Sequence, residues 1–310
     1  MRLFAAFLKL VRLPNLFFIA LTQALFQFCI YQPMYKGVIP ENDLLHFIFL
    51  LLASVLIAAA GYIINDYFDI NIDEINKPEK MVVDKVIHRR WAIAWHFMLN
   101  SAALIMTILA LPFLQKWYLI LANMICMVLL WFYSTSFKRK LLVGNIVIAL
   151  LTAWTILIIF FSKVQLADAF GNGPADHYRL FRFAFLYAGF AFVITIIREV
   201  VKDMEDMHGD AKYGCRTMPI MWGVNASKVY TAVWLVVLIA LIVILQVYIL
   251  IFKWWFLIVY SVIFILIPLI IVLLKLKPAF TQANYHKLSN IIKFVIFTGI
   301  SSMIFFYFYL

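Results

Sequence analysis

Residues 44–73 read LLHFIFLLLASVLIAAAGYIINDYFDINID, an apolar run that ends in a group of acidic side chains. The part from about 45 to 65 has no charged residue and matches the roughly 20 residues that a helix needs to cross a bilayer. Three aspartates then follow at Asp66, Asp69 and Asp73. This stretch predicts a transmembrane helix that carries carboxylates to one surface of the membrane.

The composition of the whole chain is typical of an integral membrane protein. Of its 310 residues, 66% are hydrophobic and 13% are charged, and the mean hydropathy is +0.99. Soluble domains average roughly 45–50% apolar and about 25% charged residues. The net charge of +11 lies in short basic clusters between apolar runs, which favours lipid headgroups over nucleic acid as the partner. The cysteines Cys29, Cys126 and Cys215 are far apart and indicate neither a disulfide framework nor a zinc site.

Nine stretches of the sequence are long and apolar enough to span a membrane. They lie at about 13–31, 45–65, 91–111, 117–137, 142–163, 181–201, 226–250, 254–274 and 289–309. The basic segment Met1–Asn15 has no small-residue cleavage site, and we predict that it forms an amphipathic helix on the membrane surface. No long polar region remains, so the predicted fold is all-α, a polytopic membrane protein with one domain over residues 1–310.

The basic residues also predict the orientation of the chain. With the N-terminus in the cytoplasm, 20 of the lysines and arginines fall on the cytoplasmic side and 6 on the other. This asymmetry follows the positive-inside rule and predicts a cytoplasmic N-terminus and an external C-terminus. We expect a multi-pass protein of the bacterial inner membrane. Eleven of the fifteen acidic residues fall within 66–84 and 199–210, which this rule does not explain.

Two acidic motifs with the same spacing, D-x-x-D-x-x-x-D, contain most of the acidic residues in these two segments. They are Asp66, Asp69 and Asp73 in the first motif, and Asp203, Asp206 and Asp210 in the second. The spacing places the three carboxylates of a motif on one helical face, where they repel one another unless a cation neutralises them. Mg²⁺ prefers oxygen ligands and shares its shell with substrate phosphates. The motifs could be ordinary surface acids, but two identical copies at cytoplasmic span ends favour a magnesium-diphosphate site.

Basic and polar residues near the motifs are candidates for holding a diphosphate. They are Arg12, Asn15, Lys77, Tyr133, Lys138, Arg139, Arg198, Lys202 and Lys212. Each cation taken singly could instead set topology or bind lipid headgroups. Arg198 follows the apolar segment Val193–Ile197, where a charge is costly and usually has a partner.

The motifs carry a resemblance to a known family. Asn65-Asp66-x-x-Asp69-x-x-x-Asp73 resembles the first signature of the UbiA-type intramembrane prenyltransferases, and Asp203-x-x-Asp206-x-x-x-Asp210 resembles the second. Tyr133-Ser134-x-x-x-Lys138-Arg139 with Gly144-Asn145, and Arg12-Leu13-Pro14-Asn15, are similar to further family segments. The resemblance implies nine helices around a central cavity, and transfer of a prenyl chain from its diphosphate to a lipophilic acceptor.

The resemblance also implies roles for individual residues and a Mg²⁺ cofactor. The metal ligands would be Asn65, Asp66, Asp69, Asp73, Asp203, Asp206 and Asp210, with Asp66, Asp69, Asp203 and Asp206 as the catalytic residues. Lys138, Arg139, Arg198 and Lys202 would assist with phosphate. From these roles and from the position of the other candidates in the sequence, we predict Asn65 and the nine residues named above as ligands of the diphosphate and prenyl chain. No obligatory protein partner is inferred.

The second motif and its flanks suggest a subfamily. Arg198-Glu199-x-x-Lys202-Asp203, with Gly214-x-Arg216-Thr217-x-Pro219, most resembles the digeranylgeranylglyceryl phosphate synthases, which would make a glycerophosphate lipid the acceptor and geranylgeranyl the donor group. Homogentisate prenyltransferases and chlorophyll synthases carry similar segments, so an aromatic or tetrapyrrole acceptor stays open. A lipid phosphotransferase would show a D-G-x-x-A-R type segment, which the chain lacks. A cation transporter is the non-enzyme alternative, and would place its charges nearer the membrane midplane.

Overall fold

A computed structural model describes residues 2–36, 39–76, 78, 81–166, 168 and 174–310 of the chain. In these residues nine helices are long and apolar enough to cross a membrane, which confirms the predicted spans and the all-α fold. The helices are α1 (Arg2–Leu10), α2 (Leu13–Met34), α3 (Asp43–Phe68), α4 (Ile70–Asn76), α5 (Arg89–Ala110), α6 (Leu114–Thr135), α7 (Val143–Lys163), α8 (Ala175–Lys212), α9 (Met218–Met221), α10 (Gly223–Leu250), α11 (Trp255–Leu276) and α12 (Gln282–Tyr309). The protein is an integral, multi-pass membrane protein.

The outer surface of the bundle is apolar over the length of its spans. On α10, for example, the side chains of Val229, Val233 and Ile244 are each more than half exposed, and the helix carries no acidic residue. Such a surface is stable only against lipid, where helices satisfy their own backbone hydrogen bonds. The interior is formed by α8, which packs against α7, α10 and α12, and by α3, which packs against α5 and α6.

Helix α1 is the predicted surface helix, and it is docked onto the bundle. Its last residue, Leu10, is fully buried together with Val11, and both join a core with Ile63 of α3. Arg12 then turns the chain into α2 with a left-handed backbone, at a φ of 53° and a ψ of 55°. This conformation costs a residue with a side chain roughly 1–2 kcal/mol, so the surrounding contacts must fix it.

Helix α8 is longer than the sequence predicts. It runs for 38 residues, or about 57 Å, whereas the predicted span ends near residue 201. Residues 202–212 include several good helix formers and no proline, so the helix continues past the apolar run. The whole second motif therefore lies on one continuous helix.

The first motif crosses a short break between two helices. Asp69 stands between the end of α3 and the start of α4, at a φ of −90° and a ψ of −1°. The helical hydrogen bonds nevertheless continue, since Asp69 N donates to Asn65 O at 3.0 Å and Asp73 N donates to Asp69 O at 2.8 Å. The first motif is thus held on a nearly continuous helical path, as the second is.

Candidate active site

Arg12 and Asp66 form an ion pair where α2 begins and α3 ends. Arg12 Nη2 donates to Asp66 Oδ1 at 2.7 Å, and the Asp66 side chain is only 18% exposed. The guanidinium also lies 5.2 Å from the ring centre of Tyr62, one turn before Asp66, and Asn15 lies near the Tyr62 hydroxyl. The strained turn at Arg12 therefore places a cation and the Asn15 amide beside the first motif.

Asp69 is held by a lysine from another helix connection. Lys138 Nζ forms an ion pair with Asp69 Oδ1, and Asn65 Nδ2 donates to Asp69 Oδ2 at 2.7 Å. Lys138 sits in a short 3₁₀ turn after α6 that packs closely on Gly144, because a Cβ on this glycine would lie 2.8 Å from Lys138 Cα. The missing side chain at Gly144 thus lets the turn approach α7.

The second motif receives an amide from α7 and is preceded by a buried carboxylate. Asn145 Nδ2 donates to Asp203 Oδ2 at 2.9 Å. Glu199, one turn before Asp203, is 8% exposed and accepts from Arg198 Nη1 at 3.0 Å. Lys202 Nζ lies 3.8 Å from the other oxygen of Glu199. The structure therefore pairs Arg198 and Lys202 with Glu199.

The two motifs face a shared region. The Tyr133 hydroxyl lies close enough to interact electrostatically with Asp69 of the first motif and with Asp203 of the second. Cys215, in the connection between α8 and α9, interacts in the same way with Asp69 and with Asp210. Burial and the neighbouring Asp210 raise the pKa of the Cys215 thiol to about 11, so it stays protonated at neutral pH.

Other predicted site residues lie at the margin of this region. Asp73 and Asp66 line a narrow pocket with Ile70 and with 81–83. Arg139 is exposed, and its backbone carbonyl accepts from Arg216 N at 2.8 Å.

The remaining predicted ligands differ in how exposed they are. Asp206 and Asp210 are half-buried on α8, and Lys212 is exposed at the end of that helix, beyond the ion pairs described above. Lys77 lies outside the described residues.

Three residues that contact the site were not predicted as ligands. Asn145 holds Asp203, Glu199 holds the two cations of α8, and Asn76 hydrogen-bonds to the backbone of the second motif. A polar residue at membrane depth was the available signal for Glu199, since charges there seldom lack a function. For Asn145 the available signal was the Gly144-Asn145 pair, which resembles a family segment but gave no partner. The partner of Asn76 lies 130 residues away in the sequence, and no pattern in the sequence connects the two.

The donor set fits a hard divalent cation. The carbonyl oxygen of Asn65 is buried and accepts no hydrogen bond in the part of the chain that the structure describes. Asp66, Asp69 and Asp203 accept from Arg12, Lys138 and Asn145 respectively, and no three acidic, histidine or cysteine side chains of the described residues converge on one point. A bound Mg²⁺ would therefore exchange places with these cationic and amide partners.

Comparison with known proteins gives a family match over nearly the whole chain. The model of the UbiA prenyltransferase family matches residues 5–297. Digeranylgeranylglyceryl phosphate synthases of Methanothermobacter thermautotrophicus and Haloquadratum walsbyi are 35% and 37% identical, over 59% and 62% of this chain. The chain spans 59% and 61% of the length of these two relatives. The synthase of Methanobrevibacter smithii is 29% identical over 80% of this chain and 84% of its own.

Solved structures show the same fold. A digeranylgeranylglyceryl phosphate synthase aligns with a TM-score of 0.59 at 22% identity, covering 98% of this chain and 99% of its own. A UbiA homologue from Aeropyrum pernix aligns with a TM-score of 0.61 at 14% identity, covering 98% of both chains. A third structure, of a homologue from Archaeoglobus fulgidus bound to GPP and Mg²⁺, has a TM-score of 0.54 at 14% identity and covers 96% of this chain and 99% of its own.

Proposed function

Since the chain belongs to the UbiA prenyltransferase family, we propose that it transfers a geranylgeranyl group from its diphosphate to the hydroxyl group of a glycerophosphate lipid. The observation that carries this proposal is that neighbouring residues of α7 contact both motifs. Gly144 packs against the turn whose Lys138 pairs with Asp69, and Asn145 donates to Asp203. The names of the archaeal relatives and the sequence around the second motif support the choice of acceptor. We also propose that residues 1–310 form one catalytic domain.

In the proposed site the aspartates of both motifs and Asn65 would hold Mg²⁺. The magnesium would stabilise the negative charge that grows on the leaving diphosphate. Arg12 and Lys138 form ion pairs with Asp66 and Asp69 of the first motif, and we assign to them the outer phosphate oxygens. Arginine can hold a phosphate with two parallel bonds, whereas lysine acts as a point charge. Tyr133 fixes the deeper end of the diphosphate at the boundary with the apolar interior.

The transfer step needs a positioned acceptor and a path for one proton. The bond from C1 of the prenyl chain to the diphosphate oxygen breaks, and its electron pair leaves with the diphosphate. A new bond forms between C1 and the acceptor oxygen, whose proton passes to the released diphosphate or to a motif aspartate. The protein contributes mainly positioning and a preorganised electrostatic environment.

The proposal is tested with protein purified in lipid nanodiscs, Mg²⁺ and labelled geranylgeranyl diphosphate. We expect diphosphate release and a digeranylgeranyl product with geranylgeranylglyceryl phosphate, and loss of both when EDTA removes the metal. A prenylated product with homogentisate, hydroxybenzoate, dihydroxynaphthoate or a chlorophyll precursor instead would assign an aromatic or tetrapyrrole acceptor. Ion flux through the protein in liposomes, without turnover of any acceptor, would assign cation transport.

Lys138 gives a test of the diphosphate assignment. We expect Lys138→Ala to raise the KM for the prenyl diphosphate about 10-fold, because a charge-assisted contact with phosphate is worth roughly 1.5–3 kcal/mol. Lys140 in the same connection is exposed beside the ring of Phe137, so Lys140→Ala is the matched control. The KM values of both variants are measured by steady-state kinetics. Equal values would contradict the assignment of Lys138 to the diphosphate.

The membrane side of the site is also part of the proposal. The excess of lysine and arginine at the motif end supports a cytoplasmic active site. The expectation of a bacterial inner membrane has no such support, because the relatives compared above are archaeal. Labelling of single cysteines by a membrane-impermeant reagent in intact cells would test the orientation.

A further inference from the structure

The end of the first motif segment is attached to the second motif by one side chain. Asn76 is the last residue of α4 and lies three residues after Asp73. Its Nδ2 donates to the backbone carbonyl of Asp206 at 3.0 Å, and its Oδ1 accepts from the backbone N–H of Gly209 at 2.9 Å. One planar amide therefore binds two backbone groups of α8 between Asp206 and Asp210.

This contact depends on a glycine. A Cβ on Gly209 would lie 2.3 Å from Asn76 Oδ1 and 2.5 Å from its Cγ, which is too close for any carbon atom. Gly209 is buried in a helix, where glycine is less favourable than alanine. The close approach of Asn76 is the feature of the structure that requires glycine at this position.

The two bonds also fix where the carboxylates stand. Along the chain, Asp73 is about one helical turn from Asn76, and Asp206 and Asp210 flank Gly209. A shift of α4 along α8 would break both bonds of Asn76 and would change the distance between the motifs. Bonds to backbone atoms do not depend on a side-chain rotamer of α8, so they set this distance more tightly than a contact between two long side chains.

We propose that Asn76 and Gly209 form a clamp that sets the separation of the two aspartate motifs and thereby the affinity of the site for Mg²⁺. Asn76 is a positioning residue here, because its bonds go to the backbone of α8. The inference rests on one part of the proposed function, namely that the aspartates of the two motifs are the magnesium ligands. Removal of a residue that positions metal ligands typically lowers the affinity for the metal by about 10–100-fold.

The test compares Asn76→Ala and Gly209→Ala with Gly189→Ala. Gly189 is a second glycine of α8, and a Cβ there would meet nothing within 4 Å, so it is the matched control. We expect the first two variants to raise the Mg²⁺ concentration for half-maximal transfer about 10-fold, with a smaller change of kcat at saturating Mg²⁺. Gly189→Ala should leave both values unchanged. The double variant should resemble the single ones, because both substitutions remove the same contact.

A second readout does not require turnover. Thermal unfolding of the protein with a non-reactive prenyl thiodiphosphate is measured over a series of Mg²⁺ concentrations, since a ligand that binds the folded state raises its Tm. We expect the Mg²⁺ midpoint of this stabilisation to rise in Asn76→Ala. A lower Tm without ligand but an unchanged midpoint would show that the contact is only structural, and would overturn the clamp.

The two readouts separate the inference from the proposed function. If wild-type protein is stabilised by Mg²⁺ and the analogue but transfers no prenyl group, the proposed function fails, and the shift in Asn76→Ala still decides the clamp. If Mg²⁺ stabilises neither protein, the clamp is overturned as well. Should Gly209→Ala not fold, Asn76→Ala alone gives the result, because it only shortens a half-buried side chain.

Discussion

Alanine in place of Asp203 is expected to lower prenyl transfer by about 1,000-fold or more while the helical bundle stays folded. Asp203 lies at the centre of the proposed site, close to Tyr133, and accepts from Asn145 at 2.9 Å. Its loss removes a proposed metal ligand and leaves the Asn145 amide without its carboxylate. We expect the same result for Asp66→Ala, which frees the guanidinium of Arg12. The measurement is kcat/KM with geranylgeranyl diphosphate at saturating Mg²⁺, together with the circular dichroism of the purified variants.

Asp84→Asn is the control for both substitutions, because asparagine removes the charge and tolerates the backbone φ of 72° at this residue better than alanine does. Asp84 is an acidic residue between α4 and α5, 49% exposed and paired with exposed Arg89 at 3.0 Å. Surface pairs of this kind contribute little, so activity should stay within about twofold of wild type. Wild-type rates in both Asp66→Ala and Asp203→Ala would refute the assignment of the motifs to magnesium and diphosphate.

The largest expected loss of stability lies at the opposite end of the bundle. Lys163 Nζ pairs with Asp43 Oδ1 at 2.6 Å, and the two side chains are only 6% and 7% exposed. The other oxygen of Asp43 accepts from Gln27 Nε2 at 2.7 Å. Lys163→Met therefore leaves a buried carboxylate without its cation, which typically costs about 3–5 kcal/mol. We expect this loss in the free energy of unfolding, measured by denaturant titration in detergent.

The second partner and a surface pair provide the controls for this prediction. Replacing Asp43 by Leu in the Lys163→Met background removes the stranded charge, and should restore most of the stability. Arg179→Ala breaks an exposed pair with Asp176, 3.8 Å long, and should change the free energy of unfolding by less than about 0.5 kcal/mol. A Lys163→Met variant as stable as wild type would show that the buried pair does not hold α3 to α7.

Some neighbours of the predicted residues could be inferred from the sequence and others could not. Arg12 and Lys138 were predicted near the motifs because both cations lie at span ends on the same side of the membrane, and the structure places them on Asp66 and Asp69. Arg198 was predicted to have a partner because it follows an apolar segment. Its neighbour Glu199 supplies that partner, since both groups are desolvated together. Whether Arg198 also reaches the diphosphate stays a prediction.

The membrane class, the nine spans and the position of all six motif aspartates at one end of the bundle all follow from the amino-acid sequence. These features depend on local quantities, namely the length of an apolar run and its flanking charges, and the bilayer imposes them on each helix separately. The hydrogen bonds from Asn145 to Asp203 and from Asn76 to the backbone of α8 at Gly209 became visible only in the packed helices. These contacts join residues far apart in the chain, and they form only after packing has fixed how deep each helix lies against its neighbours.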